Sequence, residues 1–404
     1  MLQPASQSVR DTASKIEVYT SKLSAELNDM REAVYPPSAQ KTFGRTFSTL
    51  DLVRLLKVPE STLRQLTLEG KGPLPERAEN NRRTYTIEQV KELRRFLAEL
   101  RPDEAGELLP HRRKGEKLQV IATANFKGGS SKTTTSIHLA HFLGLQGYRV
   151  LCLDLDPQAS MTALFGIQPE FDLGENQTAY AAIRYDNERR PLAEVIRPTY
   201  FPGVDLVPGN LELMDFEFDT PSYLTSKTRD DLGLFFERLS SALARVDDRY
   251  DIVIIDTPPS LGYSTLAALY AATSLIITVH PAMLDVASCN QFLIMISDLS
   301  EVLGQFGAKF EHDFFRFLLT RVNPNDGPQK YMSGVMRRLF GDDVLVAEAL
   351  ESTAIAGAAV AKKTLYELES GEVGREALKR AIESADRVNS EILDLVHKVW
   401  GRST

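Results

Sequence analysis

Residues 118–135 read Leu-Gln-Val-Ile-Ala-Thr-Ala-Asn-Phe-Lys-Gly-Gly-Ser-Ser-Lys-Thr-Thr-Thr, and the order of chemistry along them decides the fold. Leu118 to Thr123 carries the aliphatic and β-branched residues of a short buried strand. Beyond the loop, Ile137, Leu139, Ala140, Phe142 and Leu143 recur at helical spacing. A glycine-bearing loop that feeds a helix N-terminus offers free backbone N–H groups and the positive end of the helix dipole, a seat for phosphate oxygens. The phosphate-binding candidates are therefore Lys127, Gly128, Gly129, Ser130, Ser131, Lys132, Thr133 and Thr134. Lys132 adds a point charge for the outer phosphates, and the Thr133 hydroxyl is placed to ligate Mg²⁺. The bland alternative is a polar turn that happens to hold two glycines and two lysines; strand, loop and helix context together argue against it.

Two further stretches continue the pattern. Arg149 to Leu153 reads as a second buried strand, ending in Asp154-Leu155-Asp156-Pro157-Gln158. Asp251 to Asp256 holds four β-branched residues in a row, the mark of a strand covered on both faces, and Asp256 emerges at its tip before Thr257-Pro258-Pro259. Carboxylates at strand ends beside the loop are where an open α/β sheet places its chemistry. Further strands are readable at Val204 to Val207, Leu275 to Val279 and Phe317 to Thr320, with helical stretches between. The alternation predicts an α/β P-loop NTPase fold, a mostly parallel sheet covered by helices on both faces.

The loop departs from the general phosphate-loop pattern, whose two glycines would fall at Phe126 and Ser131, and holds a second lysine, Lys127, instead. The form K-G-G-x-x-K-T-T resembles the deviant phosphate loop of the ParA and MinD ATPase superfamily, in which the early lysine is the signature residue. The D-x-D-P-Q run and the Asp256 strand match that superfamily's other motifs in the same order, over about residues 118 to 365. The resemblance implies ATP and Mg²⁺ as ligands and hydrolysis as the activity, with a slow basal rate. It implies that Asp156 positions the attacking water, that Asp154 acts in the magnesium and water network, and that Asp256 holds Mg²⁺. It also implies that Lys127 reaches into the other subunit's site of a nucleotide-sandwich dimer, which ties hydrolysis to dimerisation. Most members carry Gly where this chain has Ser131, and a side chain there crowds the phosphates.

Ahead of this body, Ile16, Tyr19, Leu23, Leu27, Met30 and Val34 form a narrow apolar stripe on a helix that Pro36-Pro37 ends. Such a stripe packs on its own domain or pairs with a second chain; we read it as a dimerisation helix. Ser48 caps a short helix, Pro59 precedes another, and Thr86 with Gln89 forms a capping box for a third. Between the last two lies a loop that returns through Arg82-Arg83-Thr84-Tyr85. The order resembles the winged helix-turn-helix of MerR-type regulators, whose second helix lies in the DNA major groove. That resemblance assigns Thr62, Arg64 and Gln65 to the reading helix and Arg82 and Arg83 to the wing. A small helical domain with a solvated basic face is the plain alternative. The added module narrows the resemblance to the larger plasmid-partition ATPases, most closely the RepA proteins of repABC cassettes. It implies a homodimer that binds operator DNA through the N-terminal module and other DNA through the ATPase body near Lys363, a ParB- or RepB-type centromere-binding partner, and autorepression of the operon.

Composition sets the bounds. The chain has 404 residues and a net charge of −8, yet residues 41–117 hold 17 Lys plus Arg against 12 Asp plus Glu, a basic segment on an acidic chain. Two cysteines without metal-ligand spacing fit a reducing cytoplasm and exclude iron-sulfur relatives. No apolar run is long enough to span a bilayer, and the C-terminal helix around Val388 and Ile392 has mixed charge, against a membrane-binding tail. The expected organisation is a helix over 1–37, a winged helix-turn-helix over 38–101, a charged linker over 102–117 and the ATPase domain over 118–404. A nucleoid-associated cytoplasmic protein is expected. A DNA-binding regulator that uses nucleotide only as a ligand is the competing reading, and the Asp154 and Asp156 pair argues against it.

Overall fold

The computed structural model describes residues 6–34, 41–77, 82–225, 233–305, 307–369 and 371–402. The backbone separates into two units, Met1–Thr42 and Phe43–Thr404. The first is helix α1 (Ser6–Val34). Ile16, Tyr19 and Leu23 of its expected stripe are exposed. The side chains of Leu27, Met30 and Val34, and the Pro36-Pro37 stop, lie outside the described residues.

The second unit opens with strand β1 (Phe47–Ser48), α2 (Thr49–Leu56) and α3 (Glu60–Leu68), then the hairpin strands β2 (Glu76–Arg77) and β3 (Arg83–Tyr85), and α4 (Ile87–Leu100). Helix starts are set by reciprocal caps: the Ser48 hydroxyl accepts the Asp51 N–H while Asp51 takes the Ser48 N–H, and Thr86 pairs with Gln89 in the same way. Both β1 and β2 pair antiparallel with β3.

Residues 102–117, expected as a linker, are built into the body. They include α5 (Ala105–Leu108). Arg402 pairs with Glu116 at 2.6 Å and donates to the carbonyls of Pro110 and His111. Trp400 Nε1 donates to the Lys117 carbonyl at 2.9 Å, and Arg112 Nε to that of Tyr250 at 2.9 Å. Arg112, Glu116 and Lys117, three of the charges that give the segment a linker's composition, thus find partners far along the chain, Lys117 with Asp313 at 2.6 Å.

The central sheet has the order β11-β10-β9-β4-β8-β5-β7-β6, with strands β4 (Gln119–Ala124), β5 (Val150–Asp154), β6 (Arg197–Pro198), β7 (Val204–Val207), β8 (Ile252–Asp256), β9 (Ser274–Val279), β10 (Phe314–Val322) and β11 (Ala349–Leu350). All neighbours are parallel except β6 with β7. Every residue of β4, β5, β8 and β9 is buried, as a sheet covered on both faces requires. Alternate residues feed two cores. Ile121, Cys152, Ile254 and Ile276 join the core of α6 (Lys132–Gln146), the C-terminal helix Arg375–Val399 and the N-terminal module, whose Phe47, Leu52 and Leu97 belong to it. Val120, Leu151, Val253 and Leu275 face the other core.

One guanidinium helps to lock the N-terminal module to α6. Arg94 of α4 donates to the carbonyls of Leu55, Leu108 and Leu145, at 3.1, 3.0 and 2.8 Å. These lie at the C-terminal ends of α2, α5 and α6, where helix dipoles favour a cation. Burial lowers the Arg94 pKa to about 10, and still it is charged at neutral pH.

Candidate active site

The loop between β4 and α6 sits at the middle of the sheet, because β4 lies between β8 and β9. Gly129 (φ +78°) and Ser131 (φ +71°) both adopt the left-handed backbone, and Ser131 does so as the residue that starts α6. That geometry favours glycine, and a serine adopts it at a cost. A Cβ on Gly128 or Gly129 would meet nothing within 4 Å, so the loop offers an open cradle. Ser130 fixes it from below: its hydroxyl accepts from Thr278 at 3.1 Å and its carbonyl from Thr320 at 3.0 Å.

The lysines differ in placement. Lys132 is buried and donates to the Lys127 carbonyl at 3.3 Å; burial lowers its pKa, against the pull of Asp256 and Asp156. Lys127 is partly exposed and pairs with Asp285, on the helix Met283–Gln305, at 2.6 Å.

Three aspartates emerge at the same end of the sheet. Asp154 and Asp256 are register partners on β5 and β8. Asp154 is fully engaged: one oxygen accepts the Thr162 N–H at 2.8 Å and hydroxyl at 2.7 Å, the other the Asp156 N–H at 3.2 Å. It thus orients Asp156, which accepts from the Gln158 N–H at 2.9 Å. Asp256 differs. Its Oδ1 has the Thr123 and Ser136 hydroxyls at 3.4 Å, and its Oδ2 has no hydrogen-bond partner among the described residues. Burial first, and the Asp154 charge second, push the Asp256 pKa well up, while Thr133 and Lys132 work in the opposite direction. Burial raises the pKa of Asp154 and Asp156 as well. Beyond β8, the Thr257 hydroxyl donates to the Thr123 carbonyl at 2.8 Å, tying this strand's exit to β4.

A cleft of ≈330 Å³ opens beside the loop. Ser131, Thr134 and His138 line one side, Arg321 and Ser352 another, and Ile355 and Ala359 supply apolar wall. Arg321 also reaches the Gly129 carbonyl at 3.4 Å. Ser352, Ile355 and Ala359 lie on or beside the helix Thr353–Val360 and carry no motif; only the run of small residues there marks a surface that other atoms approach closely.

The DNA-facing candidates are not brought to the loop. Arg64 and Gln65 are exposed on α3, where Gln65 bonds Glu69 at 2.8 Å. Thr62 is half-buried and its hydroxyl accepts from Arg101 at 3.2 Å. Arg82 is exposed just before β3, and Arg83 is half-buried within it. Lys363 pairs with Glu372 at 2.6 Å.

A parallel sheet with a phosphate-type loop after its central strand, and carboxylates at the neighbouring strand ends, defines a P-loop NTPase. The AAA domain family matches residues 118–306. A Sinorhizobium fredii protein named as a replication protein A is 49% identical over 380 residues, 94% of this chain and 93% of the relative. A ParA family protein of Chlamydia trachomatis is 35% identical over 185 residues, 45% of this chain and 67% of that protein. Among solved structures, one described as a partition protein superposes with a TM-score of 0.66 at 22% identity, across 96% of this chain and 99% of that one. The chain belongs to the ParA family of P-loop ATPases. No helix among the described residues is long and apolar enough to cross a membrane.

Proposed function

We propose that this chain is an Mg²⁺-dependent ATPase of DNA segregation that forms an ATP-dependent homodimer on DNA and is stimulated by a ParB- or RepB-type centromere-binding partner. Residues 38–101 act as a winged helix-turn-helix through which it represses its own operon. The observation that carries the enzymatic reading is Asp256, buried with one oxygen unpartnered among the described residues, close to Lys132 and the open loop. A buried carboxylate with raised proton affinity gains most from a bound cation, so the residues present fit the metal.

Asp256 and Thr133 would hold Mg²⁺, which supplies charge neutralisation on the phosphate oxygens. The backbone of residues 127–134 binds the phosphates, with Lys132 placing its charge among them. The apolar cleft with Arg321 and Ser352 at its rim suits the nucleoside. Asp156, oriented by Asp154, accepts a hydrogen bond from the attacking water, whose oxygen displaces ADP from the terminal phosphorus. Lys127 leaves Asp285 to enter the partner subunit's site, so a lone chain turns over slowly. A population of ATP-bound dimers on the nucleoid then falls apart as phosphate leaves.

DNA reading falls to Arg64 and Gln65, which are exposed, with Arg82 and Arg83 on backbone phosphates. Thr62, Gln65 and Lys363 have protein partners that DNA must displace. The α1 stripe serves dimer contact. The test is the ATPase rate of the full chain with and without nonspecific DNA and partner, beside operator binding in ATP and ADP. Turnover that rises with both additions is expected; nucleotide binding without turnover, together with tight operator binding, would replace the motor by a ligand-switched regulator.

A further inference from the structure

The helix Leu213–Thr225 has two apolar sides, and only one is used by the body. Leu213, Phe216 and Thr220 point into the core, where the Phe216 ring stacks on Tyr185 with centroids 5.5 Å apart. On the outer side Met214 and Phe218, with Leu211 just ahead of the helix, are exposed, Phe218 by 68%. Their three- and four-residue steps form a stripe along one face, the pattern of a helix that packs on both sides. Adjacent exposed apolar side chains of this size mark an interaction site. Acid flanks the stripe: residues 211–225 contain Glu212, Asp215, Glu217 and Asp219 and no Lys or Arg.

The same helix reaches the catalytic end of the sheet. The Glu217 carboxylate accepts the Tyr263 N–H at 2.7 Å, the Ser264 N–H at 2.9 Å and the Ser264 hydroxyl at 2.6 Å. It thereby caps the helix Tyr263–Ala271, which starts past Ser260-Leu261-Gly262 after Thr257-Pro258-Pro259 at the exit of β8. At its other end the helix follows Gly209, whose N–H donates to the Thr162 hydroxyl at 2.9 Å, the group that also bonds Asp154. A segment lying on this face would therefore press on an element tied both to Asp154 and to the segment behind Asp256.

The geometry points to the outer face of Leu213–Thr225 as the docking surface for the stimulating protein, and to a basic amphipathic segment of that protein as its occupant. Apolar side chains of the segment cover Met214 and Phe218, and its Lys or Arg residues answer Asp215, since Glu212, Glu217 and Asp219 accept hydrogen bonds within the chain. The assignment rests on the proposed partner-stimulated ATPase and names where stimulation enters.

The test is hydrogen–deuterium exchange of the full chain in ATP and Mg²⁺, with and without the purified centromere-binding protein of the same operon, beside the ATPase rate. Slowed exchange over residues 211–225 on adding that protein is expected. Phe218→Asp should keep the basal rate, lose this protection and lower the stimulated rate about tenfold; Asp215→Lys should weaken the complex more at low salt than at high salt. Protection elsewhere only, or a Phe218→Asp variant stimulated like the wild type, overturns the assignment. Protection of 211–225 without the second protein, growing with chain concentration, overturns it in favour of a second copy. Protection there without any rise in wild-type turnover keeps the surface and removes the stimulation reading.

Discussion

Asp251 and Asp256 bracket β8, are both buried, and live in opposite environments. Asp251, at the strand's entry, accepts from the Arg149 N–H and guanidinium, the Arg112 N–H and the His111 ring. Burial alone would raise its pKa; the His111 and Arg149 bonds overcome that and hold it well below the usual carboxylate range. Asp256, at the exit, has one oxygen without a hydrogen-bond partner among the described residues and an acidic neighbour, and its pKa is raised. Burial penalises both charges equally in kind, so the difference lies in what the fold supplies as donors. The entry aspartate is completed by the chain itself and acts as a fastener. The exit aspartate is left incomplete, as a site that must accept a ligand is.

That contrast can be broken by swapping amides for acids. Asp251→Asn should cost about 3 to 5 kcal/mol, toward the lower figure because the Arg149 and His111 side chains are more than a third exposed. Urea unfolding would read this as a lower midpoint at constant slope, and an unchanged midpoint would refute the fastener. Asp256→Asn should move the ligand-free midpoint up while lowering Mg²⁺-dependent turnover at least about 100-fold. A loss of stability there would place the two aspartates in one class.

The pH dependence sharpens the same point, with opposite signs. Asp256 and Asp154 have raised folded-state pKa values, so above the ordinary carboxylate value near ~4 the folded chain holds protons that the unfolded chain has lost. Their contribution to stability therefore falls as pH rises through that window, and Asp256→Asn should flatten the fall. Asp251 has a depressed value, so its contribution is full above its ordinary pKa and is lost as pH falls toward the folded value. Asp251→Asn should flatten the acid limb in urea midpoints measured across pH.

Smaller effects belong to the loop. Asp285→Asn frees Lys127 from a partly exposed ion pair, a gain of up to about 1 kcal/mol, and so should raise dimer formation in ATP by up to about fivefold. Sedimentation at fixed concentration checks this; an unchanged dimer fraction would mean that the pair does not restrain Lys127. Ser131→Gly relieves a left-handed residue worth about 1 kcal/mol, part of which is returned as glycine entropy in the unfolded chain. Nucleotide affinity by calorimetry should rise slightly, and a fall would show that the hydroxyl binds phosphate.

The elements of the site were legible because each is written in a short window. The continuous apolar runs of β4, β5 and β8 appear within one residue of where the sequence places them, as does β7. The cap at Ser48 and the box at Thr86 are local chemistry and were readable too. What escaped reading depends on pairs remote in sequence. Residues 102–117 have a linker's composition until Arg402 and Trp400 are brought against them. Lys363 looks like a free DNA contact until Glu372 is beside it, and Lys127 like a free finger until Asp285 is. The cleft wall at Ser352, Ile355 and Ala359 has no signature, since small apolar residues serve cores and ligand surfaces alike.

The central claim is that Asp256 is an incomplete cation site in a working ATPase. The most direct measurement is the initial rate of phosphate release by the purified full chain in ATP, titrated with Mg²⁺, for the wild type and Asp256→Asn. Slow, saturable, Mg²⁺-dependent turnover that the substitution abolishes is the predicted result. Turnover that survives in Asp256→Asn with the same Mg²⁺ dependence would contradict the account.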